Sequence, residues 1–432
     1  MKPWFILTPS FTSARHNNEH KKTHVEIRRR LPLTKDFGLI WLSQLVSQVG
    51  DGISKLALLW FVYSITGSPL KTTAIGLLQT IPPILCGPLI GVLVDRFPKK
   101  LLLIGSNVFR AVLIGFVPCA ISVDTFTVNL LYVLVLMDAI ATAAINPTLT
   151  ASVPMTVPRS QFTSANALIQ CTTSLGIIFG PALSGVGIAR FGPQEVLCLN
   201  AVTYLSSALC LAFVRLTPRS PSERQRTGDG SMFHDLQEGL TFVMVKERVI
   251  ILLIVAAGFY AFGASALTTL FPVFTKKMLD LGPIEVGYLW STMGVGLLVM
   301  SIVLLWFTER TLADRINIIA WTSAVSGLAI AAIIWMKDLL LVGLLMIVIG
   351  GGIGAFTPIA WSVVQELTPG NLVGRVMSLY STGAMTAAIA GISMFGWITE
   401  RFGEAMGVAS IGAIFLLTAL LGGCLSLVIR NR

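Results

Sequence analysis

Charge is the scarcest commodity in this chain. Asp, Glu, Lys and Arg make up only 12% of its 432 residues, where a soluble domain carries about a quarter. An ordinary soluble fold of this length is thereby excluded. Histidine is nearly absent as well: the four are His16, His20, His24 and His234, all outside the long apolar stretches. The six cysteines, Cys86, Cys119, Cys171, Cys198, Cys210 and Cys424, form no CxxC pair. They read as small apolar packing residues, with neither a disulfide framework nor a metal cluster. HExxH, GxSxG and GxxxxGK[ST] are all missing, which speaks against metal, acyl-transfer and nucleotide chemistry. The sequence therefore predicts no cofactor, no metal and no enzyme activity. Residues 1–30 lack the apolar core and small-residue cleavage site of a signal peptide and read as a cytoplasmic tail.

What is present is hydrocarbon. Hydrophobic residues make up 54% of the chain, and the mean hydropathy is +0.80. Apolar runs of about twenty residues or more, long enough to cross a bilayer as helices, recur about twelve times. They lie at roughly 37–66, 71–94, 101–123, 126–150, 164–189, 194–214, 249–275, 284–307, 315–336, 339–366, 374–399 and 404–429. An even number leaves both termini on one side. Placing the termini and the even-numbered loops inside puts 23 of the 31 Lys and Arg residues there and six outside. Basic residues near span ends resist translocation, so both termini are predicted to be cytoplasmic, in a bacterial inner membrane. The formal net charge of +10 is then topological, and no nucleic-acid partner is predicted.

The predicted organisation is a tail (1–34), a six-helix bundle (35–214), a cytoplasmic linker (215–248) and a second bundle (249–432). The linker begins with RLTPRSPSERQRTGDG, rich in turn formers. It continues with Phe233, Leu236, Leu240 and Val243 at the spacing of an amphipathic helix. The halves echo each other. Pro158, Leu168, Gly180, Gly185, Arg190, Phe191 and Gly192 recur 211 residues later as Pro369, Leu379, Gly391, Gly396, Arg401, Phe402 and Gly403. The expected fold is an all-α membrane protein of two pseudo-symmetric six-helix bundles, with a site near the midplane between them.

Ionisable groups within spans are costly and usually functional. Span 1 carries Gln44, Gln48, Asp51 and Lys55 at steps of four, three and four, a polar stripe on one helix face that calls for a cavity. Span 4 carries Asp138, Thr142 and Asn146, again at steps of four. Arg110 lies about nine residues into span 3, roughly 14 Å deep, at a depth similar to Asp138. Two readings stay open. Asp51–Lys55 and Arg110–Asp138 are fixed neutralising pairs, or one carboxylate exchanges its partner for a proton. The second reading names Asp51 first and Asp138 next, with Arg110 as the moving partner. Tyr260, Trp290 and Trp361, with Gln44, Gln48 and Asn146, are candidates to line a substrate cavity; belt positions and lipid packing are the alternative for the aromatics. In span 5, Gly176, Gly180 and Gly185 allow a neighbouring helix to approach closely, and Pro181 permits a kink.

The short loop GVLVDRFPKK between spans 2 and 3 (91–100), GDGISKLALLWFVYSITGS in span 1, DLQEGLTFV before span 7 and VGRVMSLYSTG opening span 11 resemble the major facilitator superfamily. The branch is the one that holds macrolide-efflux proteins and the enterobactin exporter. The resemblance covers nearly everything after about residue 34. It implies a cytoplasmic latch made by Gly91, Asp95, Arg96, Lys99 and Lys100 against Arg375. It also implies that Gly176, Gly180, Pro181 and Gly185 form an antiporter-type motif typical of exporters. The expected function is proton-coupled export of an amphipathic small molecule by a monomer, its partners being substrate, protons and lipid. A nutrient importer of the same fold, or a membrane assembly factor or enzyme, is the alternative. Asp138 is the only charge in span 4, where many drug antiporters of this family carry an Arg, so proton coupling by their scheme is not implied.

Overall fold

The computed structural model describes residues 34–122, 127–158, 161–216, 241, 248–304, 311–369 and 372–430. The amphipathic segment Phe233–Val243 of the linker lies outside them, apart from residue 241. Among the described residues there are twelve long helices and no strand. They are α1 (Lys35–Thr66), α2 (Pro69–Arg96), α3 (Lys99–Ser122), α4 (Val128–Ala143, continued by Ile145–Ser152), α5 (Phe162–Phe191) and α6 (Pro193–Ala212). After the linker come α7 (Arg248–Met278), α8 (Pro283–Val303), α9 (Leu312–Ala332), α10 (Leu339–Leu367), α11 (Val373–Phe402) and α12 (Glu404–Arg430). Eleven of them are long and apolar enough to cross a membrane; α2, with 28 residues, is the twelfth.

Polar side chains start several of these helices by satisfying backbone donors that the first turn leaves unpaired. Thr34 accepts from the Phe37 amide, Ser68 from Lys71, Thr127 from Leu130 and Asp338 from Leu341. Helix α4 breaks at Ala144. Pro147 lacks the N–H that would bond the Ala143 carbonyl, so the ladder fails one turn ahead of it. Large apolar side chains such as Leu85, Leu89, Trp335 and Leu340 stand strongly exposed on the outside, as a lipid-facing surface requires.

The two halves repeat each other in packing. In the first, α1 packs on α5 and α6, α3 on α6, and α2 on α4; in the second, α7 packs on α11 and α12, α9 on α12, and α8 on α10. The 211-residue echo is structural too. Gly192 and Gly403 end α5 and α11 with φ of 96° and 88°, a region only glycine enters without strain, and each feeds directly into the next helix.

Between the halves, α5 meets α8 and α2 meets α11. The contacts gather at one end, where α1 turns into α2 and α7 into α8. There a single apolar core joins both halves through Leu59, Phe61, Leu270, Phe274, Trp290 and Phe395. Toward the other end the core divides. Ile250, Leu253, Phe356, Val363 and Val376 cluster within the second half, while Ile40, Leu103, Ile145, Leu149 and Leu211 cluster within the first. The apolar core is thus shared by the two halves at one end, the closed end, and divided between them at the other.

Candidate functional site

Four helices of the first half converge on one guanidinium. Arg110 on α3, only 3% exposed, donates from Nη2 to Asp51 Oδ1 of α1 (2.6 Å) and from Nε to Asp138 Oδ1 of α4 (3.0 Å). The Tyr204 hydroxyl of α6 donates to the same Asp51 oxygen (2.6 Å) and accepts from Arg110 Nη2 (2.5 Å). The guanidinium carbon also lies 4.0 Å from the Tyr204 ring centre. A planar fork with five donors can hold two carboxylates at once; a lysine cannot do so with the same geometry. With both carboxylates ionised, the cluster holds one more negative than positive charge. Asp51 is the more accessible acid, its side chain 27% exposed against 15% for Asp138. Arg110 Nη1 is buried without a partner among the described residues, so the fork has a donor to spare.

The polar side chains of α1 hold this helix in register. Trp41 donates to the Leu168 carbonyl (3.0 Å), Ser43 pairs with Ser207 (2.7 Å), and Ser184 of α5 donates to the Ile53 carbonyl (2.8 Å). Gln44 is buried, and Gln48 is half-buried where α1 meets Gly176. Lys55 makes no ion pair with Asp51, which Arg110 and Tyr204 occupy; its ammonium lies 5.7 Å from the Trp290 ring of α8 instead. In α4, Thr142 bonds back to the Asp138 carbonyl. The break at Ala144 interrupts the four-residue steps, and Asn146 lies exposed beyond it. Tyr260 stacks on Phe356 (ring centres 4.1 Å apart) and donates to the Ile353 carbonyl (3.1 Å). Trp361 is exposed. A separate apolar groove of about 320 Å³ runs between α8, α9 and α10, lined by Gly296, Val299, Trp321, Val325 and Gly351. Trp321, Val299 and Val325 face outward, so this groove belongs to the lipid-facing surface and not to the charged cluster.

Sequence reasoning missed Tyr204. A search confined to charged residues passes over it in an apolar helix. The signal was its neighbours: Asn200, Thr203, Tyr204 and Ser207 share one face of α6, and a buried tyrosine needs a partner for its hydroxyl.

A sequence model of the Major Facilitator Superfamily matches residues 40–392. The chain belongs to that superfamily. Macrolide efflux protein A of Streptococcus pyogenes is 23% identical over 394 residues, covering 91% of this chain and 94% of that protein. Multidrug efflux pump Tap of Mycolicibacterium fortuitum is 25% identical over 375 residues, covering 84% and 89%. Among solved structures, a bacterial homologue of the human lysosomal transporter Spinster, inward-facing and unoccupied, superposes with a TM-score of 0.71 at 13% identity, covering 92% of this chain and 99% of that one. A peptide transporter, POT, gives 0.71 at 15% identity, covering 92% and 95%. The chain is thus a major facilitator transporter with efflux proteins among its relatives.

In this transporter the four residues of the glycine–proline motif have two different partners. A Cβ on Gly180 would stand 2.6 Å from the Gly52 Cα of α1, and one on Gly176 would stand 2.8 Å from the Gln48 carbonyl carbon. Both glycines therefore let α1 and α5 touch beside Asp51. Gly185 faces the other half: its Cβ would meet the Pro283 carbonyl and stand 3.2 Å from the Gly287 Cα of α8, while Gly287 in turn faces Pro181. Gly396, the repeat-mate of Gly185, packs across the seam on Thr73 of α2. In the loop expected to latch the halves, Lys99 donates to the Val94 carbonyl and Lys100 to that of Ala212 (2.6 Å). Both cap helix C-termini within the first half. Arg96 is exposed at the end of α2, and Arg375 is half-buried at the start of α11. The side chains at positions 91 and 95 lie outside the described set.

Proposed function

We propose that the transporter exports an amphipathic small molecule across a bacterial plasma membrane by alternating access, driven by inward proton flow, with both termini cytoplasmic. The observation that carries this reading is Arg110 shared between Asp51 and Asp138. One guanidinium holding two acids can release either to a proton while it keeps the other. Asp51 is the more accessible acid, so it is the proton entry point. The charge asymmetry of the loops sets the sidedness: the closed end is external, and the parted end opens to the cytoplasm, where an exporter collects its substrate. Efflux by the macrolide and multidrug relatives supports outward transport of a drug-like compound. One elementary charge moving down 100 mV supplies about 2.3 kcal/mol, enough to sustain a roughly fifty-fold gradient.

The test is transport into inverted membrane vesicles with an imposed pH gradient, using compounds found by a susceptibility screen of cells with and without the gene. Asp51→Asn should insert and fold normally yet lose gradient-driven accumulation. Wild-type accumulation by that variant would remove Asp51 from the coupling role.

A further inference from the structure

We infer that Lys55, backed by the buried ring of Trp290, forms a subsite for the anionic group of the substrate, and that the transported compound is an organic anion. This rests on the export reading above and names the substrate class for it. Lys55 is exposed, although Ile53, Ser54 and every residue from Leu56 to Tyr63 are buried or nearly so around it. It sits on a helix packed against α5 and α6 on its own side. Its ammonium reaches Trp290 on the opposite half, which puts the charge in the seam between the halves, below the closed end. Lying 11 residues from the end of α1 at Thr66, it is roughly 16 Å in from that end.

The ammonium has three donors, and among the described residues no carboxylate lies within ion-pair distance of it. The one acid on its own helix face, Asp51, is held by Arg110 and Tyr204. A cation at membrane depth without a direct counter-charge is costly, and a ligand carboxylate or sulfonate supplies what the protein does not. Trp290 packs edge-to-face with Phe271 (ring centres 5.7 Å apart) inside the apolar core, so its ring backs the ammonium from within the protein and a ligand approaches Lys55 from the seam. An anion leaving a cell whose interior is negative also moves down the electrical potential, so the selected charge adds to the export drive.

The test uses three probes with one apolar body: 1-naphthoate, 1-naphthamide and 1-naphthylmethylammonium. Binding to the full-length protein in lipid nanodiscs is measured by calorimetry. Wild type should bind naphthoate more tightly than naphthamide by on the order of tenfold, the factor a charge-assisted hydrogen bond supplies, and should bind the ammonium probe weakest. Lys55→Gln should erase the preference and Lys55→Arg should keep it. Absence of an anion preference in wild type, or its survival in Lys55→Gln, overturns the subsite. Vesicle transport separates this from the export reading. Anion-selective binding without energised uptake of any probe into inverted vesicles sinks the export reading and leaves the subsite standing. Equal uptake of all three probes by wild type and Lys55→Gln sinks the subsite and leaves export standing.

Discussion

Gly180 and Gly185 sit five residues apart on one helix, yet substituting them should produce different defects. Valine at 185 drives a Cβ into backbone on α8: the Pro283 carbonyl carbon would be 3.1 Å away and the Gly287 Cα 3.2 Å. Carbon atoms prefer about 3.5–4.0 Å, and backbone cannot swing aside, so α5 and α8 must separate. Overpacking of this kind costs about 1–3 kcal/mol. The penalty exists only while α5 and α8 touch at the closed end, so it shifts the balance between closed and open forms of that end. An energy of about 1–3 kcal/mol changes such an equilibrium roughly 5- to 150-fold. Valine at 180 strikes Gly52 of α1. Because α1 and α5 belong to the same half and move together, that penalty is present in both forms and lowers stability instead. Spin labels at Phe191 and Phe402, exposed residues at the closed end of each half, report the opening by pulsed dipolar distance measurement. Gly185→Val and its repeat-mate Gly396→Val should populate longer distances. Gly180→Val should leave the distribution alone and lower the melting temperature. An unchanged distribution in folded Gly185→Val, or an opening in Gly180→Val, would refute the assignment of the two glycines to different interfaces.

Replacing Arg110 by Met strands two carboxylates beside one another and should cost about 3–5 kcal/mol of stability, read as a large drop in the detergent melting temperature. Tyr204→Phe removes a hydrogen bond to an ionised acid, worth about 1.5–3 kcal/mol; stability should fall by less than in Arg110→Met, and energised uptake should slow. Glu400 of α11 accepts from the Ser68 hydroxyl (2.8 Å) and the Leu70 amide (3.1 Å) at the start of α2. Glu400→Gln removes a charge favourable to that helix N-terminus, about 0.3–1 kcal/mol, and should open the closed end slightly in the same distance measurement.

The helices were legible because hydropathy and length decide membrane spans with little help from tertiary structure. The depth of Arg110 and Asp138 was legible for a related reason: a fixed rise per residue converts sequence position into distance along the membrane normal. Partner choice was legible for Arg110 and Asp138, whose shared depth allows the ion pair found at 3.0 Å, but not for Asp51. By sequence, Lys55 is the natural partner of Asp51, one turn away on the same face. In the fold, Arg110 arrives from α3 with a fork that also serves Asp138, and Lys55 turns to the other half. The break in α4 was missed when Asp138, Thr142 and Asn146 were placed on one face, although Pro147 disables the bond one turn before it. The division of the span-5 glycines between α1 and α8 was not legible, because small residues announce close approach without saying which helix approaches.

All four members of the charged cluster lie in the first half, so any coupling between proton and conformation has to leave that half through a shared element. Helix α1 fits that requirement. Asp51 is held by the Arg110 cluster; Gly52 is wedged against α5; Lys55 reaches Trp290 on α8; and Trp60 and Tyr63 at its far end lie 4.8 and 5.6 Å from the Lys276 ammonium of α7. Within four turns the helix passes from the acid to α8 and α7 of the opposite half. A proton that frees Asp51 from Arg110 removes the strongest polar restraint on α1 while its contacts across the seam remain. Any resulting shift of α1, shared with α5 through the Gly52 contact, is therefore delivered where the halves close.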